Sequence, residues 1–129
     1  MRAAQWLMPA GSTVFVGCVG RDENAVRLRK VAQADGLQVE YLEDAKAPTG
    51  TCACLISDGG KSRSLVANLG AANNYLLEHI LSDHMTEILS KAKILYVSGY
   101  FLNVSPATIM KVVQEAHKRG QVCLFHSML

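Results

Sequence analysis

Three strand-like segments follow one another between residues 39 and 69 with no helical stretch between them, and this run constrains the fold more than any other feature. Val39-Glu40-Tyr41-Leu42, residues 51–57 and residues 63–69 carry the β-branched, aromatic and apolar side chains that suit a pleated surface. Asp58-Gly59-Gly60 supplies turn chemistry between the last two, which therefore read as a β-hairpin. On both sides of this run the chain alternates strand and helix. Residues 13–19 form a compact apolar stretch, consistent with a strand buried on both faces. Asp22 is placed to cap a helix with Ala25, Leu28, Val31 and Ala32 on one face, ending near Gly36. Ser82 or Asp83 opens a second helix bearing Met85, Ile88, Leu89 and Ala92, and Ile94-Leu95-Tyr96-Val97-Ser98 reads as a buried strand. Ser105 and Pro106 form an N-cap and first-position pair for a third helix with a stripe of Ile109, Val112, Val113 and Ala116. Gly120 stops it, and Val122-Cys123-Leu124-Phe125 is one more strand. Strand–helix–strand units favour a parallel sheet. The expected class is α/β, with a small sheet inserted into the core or standing off it.

The chain has 129 residues, half of them hydrophobic, which suits one domain or a piece of one. The formal charge is +2, and the short basic run of Arg27, Arg29 and Lys30 falls on the wet side of the first helix. No nucleic-acid footprint is present, so no nucleic-acid partner is expected. No apolar stretch is long enough to span a bilayer, so no membrane partner is expected either. The first eight residues imitate a signal peptide, but Gln5 and Pro9 break the apolar run. A cytoplasmic location is expected, with nuclear entry open to so small a chain. Cys18, Cys52, Cys54 and Cys123 lie in strand-like segments and form no Cys-x-x-Cys motif, so buried free thiols are expected. The four histidines are dispersed, and no metal site is expected.

Side-chain alternation puts Arg63, Leu65, Ala67 and Leu69 on one face of the second hairpin strand, and Ser64, Val66 and Asn68 on the other. An apolar strip ending in an arginine suits a ligand with a flat apolar ring and an anionic end. A half-buried strand with a solvated arginine at its rim fits the same pattern. Gly59-Gly60-Lys61-Ser62 looks like the end of a phosphate-binding loop, but Leu55 stands where that motif needs glycine and a strand follows instead of a helix. It is read as a hairpin turn. In Gly17-Cys18-Val19-Gly20-Arg21-Asp22 the glycines allow either close approach of a ligand or a tight turn into a helix capped by Asp22. Tyr100 and Phe101 lie just beyond a strand's carboxyl end, where open α/β sheets bind ligands; they stack on an aromatic ligand or cover the core. No Ser-His-Asp or Cys-His arrangement is legible, and no carboxylate stands out as a general base.

Five blocks in order resemble the eukaryotic adenosine kinases, a branch of the ribokinase-like (PfkB) carbohydrate kinases. They are Ala4-Gln5-Trp6, residues 15–22 (FVGCVGRD), residues 48–53 (PTGTCA), residues 63–73 (RSLVANLGAAN) and residues 100–106 (YFLNVSP). The resemblance implies a partial ribokinase-like α/β/α sandwich with a small β-sheet lid. Residues 1–38 and 71–129 would belong to the large domain and residues 39–70 to the lid. It implies transfer of the ATP γ-phosphoryl group to the 5′-hydroxyl of adenosine, with ATP and Mg²⁺ required by the full-length family. By resemblance, Cys52, Leu65 and Leu69 line an apolar wall on the purine, Phe101 packs against it, and Arg63 approaches the transferring phosphate as the catalytic cation. Family members are mostly monomeric.

The departures from the family pattern carry their own expectations. The Gly-Gly…Asn motif, the acidic ribose ligand and the Gly-Ala-Gly-Asp motif with its catalytic base do not occur in these residues. Ala25 replaces a usual glycine, and residues 126–129 depart from the family's Asn-Leu-Ser-Ala. The chain is thus expected to be a truncated adenosine kinase, inactive alone and without the ATP-binding part. Two alternatives stand beside it. One is a non-catalytic binding module that self-associates or captures a partner through open strand edges. The other is a ribokinase-like kinase for another sugar or nucleoside.

Overall fold

A computed structural model describes residues 1–126. Three of the four residues at which the C-terminal end departs from the family pattern, Ser127, Met128 and Leu129, lie outside the described residues. The chain divides into two compact units, Met1–Asn74 and Tyr75–Leu129.

In the first unit, α1 (Arg2–Trp6) leads to β1 (Val14–Gly20), α2 (Glu23–Ala34) and β2 (Gln38–Asp44). Strands β1 and β2 are parallel, from Val14 opposite Gln38 to Gly20 opposite Asp44. Asp22 caps α2 as its pattern predicts, accepting from the Ala25 N–H at 2.9 Å. Ala32 of α2 packs with Leu37 and Val39, and Tyr41 flanks this small core. Gln5 is buried and ties α1 to the start of β1: its Oε1 accepts from the Thr13 N–H at 3.1 Å and the Thr13 hydroxyl at 2.6 Å. Its Nε2 donates to the Pro9 carbonyl at 2.7 Å.

The hairpin consists of β3 (Thr51–Ser57), a 3₁₀ turn at Asp58–Gly60 and β4 (Ser62–Asn68). Its antiparallel register runs from Thr51 opposite Asn68 to Ser57 opposite Ser62. The three β segments do not form one sheet. Val39–Leu42 belongs to β2, and β2 pairs with β1 because the α2 crossover returns the chain parallel to it. Only β3 and β4 stand apart from the α/β part. A 3₁₀ segment, Gly70–Asn74, closes the unit.

The second unit holds α3 (Leu77–Leu81), α4 (Asp83–Lys91), β5 (Ile94–Ser98), α5 (Phe101–Val104), α6 (Pro106–Lys118) and β6 (Val122–His126). Strands β5 and β6 are parallel, Ile94 opposite Val122. Met85 of α4 and Thr108 of α6 are its largest fully buried side chains. The Ser82 hydroxyl caps α4 by accepting from the Met85 N–H at 3.3 Å. Ser105 and Pro106 start α6 where expected, but the Ser105 hydroxyl pairs with the Thr108 hydroxyl at 2.8 Å and makes no bond to the helix N–H groups. The side chain of Gln121 closes the other end of α4, with Nε2 donating to the Leu89 carbonyl at 2.7 Å and to that of Ala92.

Burial differs from the sequence expectation in a consistent way. In β1 only Cys18, Val19 and Gly20 are buried, and Phe15 is exposed. In β5 exposed and half-buried residues alternate, and every residue of β6 is exposed. Leu28 and Val31 of α2 and Val113 of α6 are exposed as well. Each sheet is two-stranded among the described residues, and two strands cover too little surface to bury apolar side chains on both faces. The same cause corrects the cysteine expectation: Cys18 is buried, whereas Cys52, Cys54 and Cys123 are exposed. Burial pushes the Cys18 thiol upward, with the nearby Asp44 carboxylate adding to the effect. Among the described residues, no helix is long and apolar enough to cross a membrane.

Candidate functional site

Directly opposed residues of an antiparallel pair share a face. The register places Cys52 opposite Ala67, Cys54 opposite Leu65 and Ile56 opposite Arg63, so these six side chains form one face of the hairpin. The alternation of β4 carries this face on to Leu69, just past its end. Cys52, Arg63, Leu65 and Leu69 are thus brought together by one sheet face. Cys54 and Ile56 belong to the same face and were not singled out from the sequence; only the strand register identifies them. All residues of β3 and β4 are exposed, which removes the half-buried-strand reading within these residues. Leu65 is 59% exposed and Leu69 40%. Arg63 is exposed and has no ion-pair partner among the described residues, so its charge is free to meet an anion.

The base of the hairpin is held where Pro48-Thr49-Gly50 crosses the end of β1. The Gly20 N–H donates to the Thr49 hydroxyl at 3.0 Å. That hydroxyl donates to Asp22 Oδ1 at 2.6 Å, and the Thr49 N–H donates to Asp22 Oδ2 at 2.7 Å. These bonds, led by the Thr49 hydroxyl, hold the Asp22 carboxyl below the usual carboxylate range. The approach is so close that a Cβ on Gly20 would stand 2.6 Å from the Thr49 nitrogen. A Cβ on Gly70, whose φ is +48°, would fall on the Pro48 carbonyl oxygen. The Ala71 N–H donates to that same oxygen at 2.8 Å. Both roots of the hairpin are therefore fixed on one loop. The glycine of Gly20 serves the approach of the chain's own backbone, and Asp22 does more than cap α2. Sequence reasoning missed Thr49 because its partners lie 27 and 29 residues away.

Beside this clamp, Asp44 accepts from the Lys46 N–H at 2.6 Å, the Asn74 side chain at 2.6 Å and the Ala47 N–H at 3.0 Å. These bonds, the Lys46 N–H first, keep its carboxyl low. With its oxygens engaged in this way, Asp44 serves the loop and not as a proton acceptor.

Phe101 belongs to the second unit. It opens α5 immediately after the Gly99-Tyr100 turn at the carboxyl end of β5 and is half-buried. Its ring meets the buried Tyr75 ring edge-to-face, with centroids 5.4 Å apart and planes at 78°. Covering the core and facing a ligand are thus not exclusive for this side chain. Among the described residues, no three His, Cys, Asp or Glu side chains are grouped to hold a metal. The described residues thus offer no carboxylate cluster for a resident Mg²⁺ ion. A Mg²⁺ ion held mainly by nucleotide phosphates needs few protein ligands.

Comparison with known proteins gives a consistent result. The sequence model of the pfkB family carbohydrate kinases matches residues 1–128. Adenosine kinase of Schizosaccharomyces pombe is 42% identical over 120 residues, which cover 93% of this chain and 35% of that protein. Anopheles gambiae adenosine kinase, solved in complex with P1,P4-di(adenosine-5) tetraphosphate, has a TM-score of 0.89 at 42% identity, over 96% of this chain and 36% of that one. Schistosoma mansoni adenosine kinase in complex with 2-fluoroadenosine has a TM-score of 0.88 at 27% identity, again over 96% and 36%. The chain spans about a third of the length of the relatives it matches.

Proposed function

The chain belongs to the pfkB carbohydrate kinase family, and from that premise we propose that it forms the nucleoside-facing part of an adenosine kinase. In the complete reaction the adenosine 5′-hydroxyl attacks the γ-phosphorus of ATP. The bond from that phosphorus to the β,γ-bridging oxygen breaks, and AMP and ADP leave. Residues 51–68 act as the lid. Leu65, Leu69 and Cys52 face the purine, Phe101 packs against the base, and Arg63 stabilises charge on the transferring phosphoryl group. ATP is the phosphoryl donor and Mg²⁺ accompanies its phosphates.

The observation that carries this reading is the hairpin face itself. Cys52, Cys54, Leu65 and Ala67 make a continuous exposed apolar strip with the free cation of Arg63 at the turn end. A base is needed to remove the hydroxyl proton, and the Gly-Ala-Gly-Asp motif that carries it in the family is not in these residues. The 129-residue chain by itself is therefore expected to make no AMP.

A chimera tests the proposal. The matching segment of the fission-yeast adenosine kinase is replaced by this chain, and phosphorylation of adenosine, other nucleosides and ribose is measured. Adenosine is the expected preferred acceptor. A folded chimera that binds ATP but prefers ribose or another nucleoside assigns the chain to a different sugar kinase and overturns the reading. A second reading, an interaction module, draws on the exposed Ile94, Tyr96, Val122, Leu124 and Phe125 of β5 and β6. Sedimentation of the isolated chain decides it, because a monodisperse monomer removes self-association through these strands.

A further inference from the structure

We propose that Tyr75, with its hydroxyl held by His79, is a positioning residue for Phe101 and thereby sets how tightly the site holds a purine base. The proposal rests on the reading of Phe101 as the base-facing aromatic. It assigns a role to two residues that the nucleoside site itself does not use.

Phe101 is weakly held by its own element. Helix α5 is four residues long, and Phe101 is its first residue. Its carbonyl accepts from the Ser105 N–H at 3.0 Å, but a single turn does not fix the direction of its first side chain. The ring must be oriented by what it touches. One ring it touches is that of Tyr75, 6% exposed, in an edge-to-face pair whose geometry is a favourable one for two aromatic quadrupoles.

Tyr75 is itself immobilised. Its hydroxyl is 2.7 Å from His79 Nδ1, and the His79 ring stands edge-on to it, 5.3 Å away at 88°. His79 belongs to α3, whose next residue, Ile80, is buried. The His79 carbonyl accepts from the Ser82 hydroxyl at 2.8 Å, where α3 ends and α4 begins. Phe101, Tyr75 and His79 thus form a chain of three rings running from a half-exposed aromatic, through a buried tyrosine, to the last turn of α3. The bond to His79 satisfies the buried Tyr75 hydroxyl and, with the perpendicular ring contact, fixes the orientation of the ring that Phe101 meets. An aromatic wall held in one orientation before the ligand arrives binds more tightly than one that must be ordered on binding.

The test uses this chain labelled with ¹³C on its three phenylalanines, with Phe101 assigned through Phe101→Leu, and adenosine as the probe. Tyr75→Leu removes the ring edge, Tyr75→Phe only the hydroxyl. The expected result is displacement of the Phe101 ring resonances in Tyr75→Leu with about tenfold weaker adenosine binding, and a shift of about threefold or less in Tyr75→Phe. Wild-type Phe101 resonances or wild-type affinity in Tyr75→Leu overturns the proposal. If the unmutated chain binds no adenosine, as the lack of the ribose-binding motifs in these residues allows, the substrate reading is decided by the chimera instead. The resonances then decide alone: displacement supports the positioning role and its absence overturns it. If Tyr75→Leu loses its cooperative melt, Tyr75→Phe and His79→Ala take its place, and an unmoved Phe101 ring in both overturns the proposal.

Discussion

Asp22 holds Thr49 by two hydrogen bonds, accepting from its N–H at 2.7 Å and from its hydroxyl at 2.6 Å, while the same carboxylate caps α2. One side chain thus joins the start of a helix to the root of the hairpin. The hydroxyl of Thr49 is also the acceptor for the buried Gly20 N–H. Thr49→Val keeps the shape and removes that acceptor. The expected loss in urea unfolding is about 1–3 kcal/mol, because a buried N–H is left without a partner. Thr49→Ser, which keeps the hydroxyl, stays closer to wild type.

Acid weakens the clamp, and the sign follows from the direction of the shifts. The Asp22 carboxyl is held low by the Thr49 hydroxyl first, and Asp44 by the Lys46 N–H first. Both lie below their unfolded value of 3.8. The unfolded chain therefore takes up these protons at higher pH than the folded one. The stabilisation is fully present above the unfolded value and is lost as pH falls through the lower folded values. Melting temperature should stay level from neutral pH down to about pH 5 and fall below pH 4. In Asp22→Asn the melting temperature should be lower at neutral pH and fall less steeply in acid. Scanning calorimetry across this range checks both slopes.

The crossing of Pro48-Thr49-Gly50 over β1 predicts a steric effect at Gly20. An added Cβ would stand 2.5 Å from the Ala47 carbonyl oxygen and 2.6 Å from the Thr49 nitrogen, and both are backbone atoms. Neither can rotate away, so the loop must shift. Gly20→Ala is expected to cost about 1–3 kcal/mol, as overpacking does. It should also make the peptide near residues 47–50 easier to cleave in limited proteolysis. A wild-type cleavage pattern would show that the loop is not seated on Gly20.

The core of the second unit predicts a larger cost at one residue. Met85 is fully buried. Met85→Ala leaves a cavity there and is expected to lower stability by about 2–5 kcal/mol in urea unfolding. Wild-type stability would mean that the neighbours collapse into the space.

Local chemistry explains what was legible in the sequence. Asp22 and Ser82 cap helices because a short oxygen-bearing side chain before an apolar stripe can satisfy free N–H groups nearby. The hairpin was legible from Asp58-Gly59-Gly60 and from alternation, and its register confirms that Arg63, Leu65 and Ala67 share a face. Sheet membership was not legible. Nothing in Val39-Glu40-Tyr41-Leu42 says whether it pairs with β1 or with the hairpin, since both partners are strands and pairing is a long-range choice. Burial failed for the same reason: β6 is as apolar as a buried strand, yet each of its residues is exposed in a two-stranded sheet. Gln5, Thr49, Tyr75 and Gln121 act through partners that composition and periodicity do not reveal.

The exposed face of the hairpin allows stability and function to be separated. Leu65 is 59% exposed and Arg63 is also exposed, so neither is packed into a core. Leu65→Ser and Arg63→Ala should leave the melting temperature of this chain nearly unchanged, within about 0.5 kcal/mol of stability. In the chimera with the fission-yeast kinase the two should diverge. Loss of a base contact raises the KM for adenosine, whereas loss of a cation that meets charge only in the transition state lowers kcat and leaves KM in place. Leu65→Ser is therefore expected to act on KM, and Arg63→Ala on kcat by about 10²-fold or more. Equal effects on KM from both substitutions would place Arg63 on the bound nucleoside and away from the moving phosphoryl group. No effect from either would remove this face of the hairpin from the site.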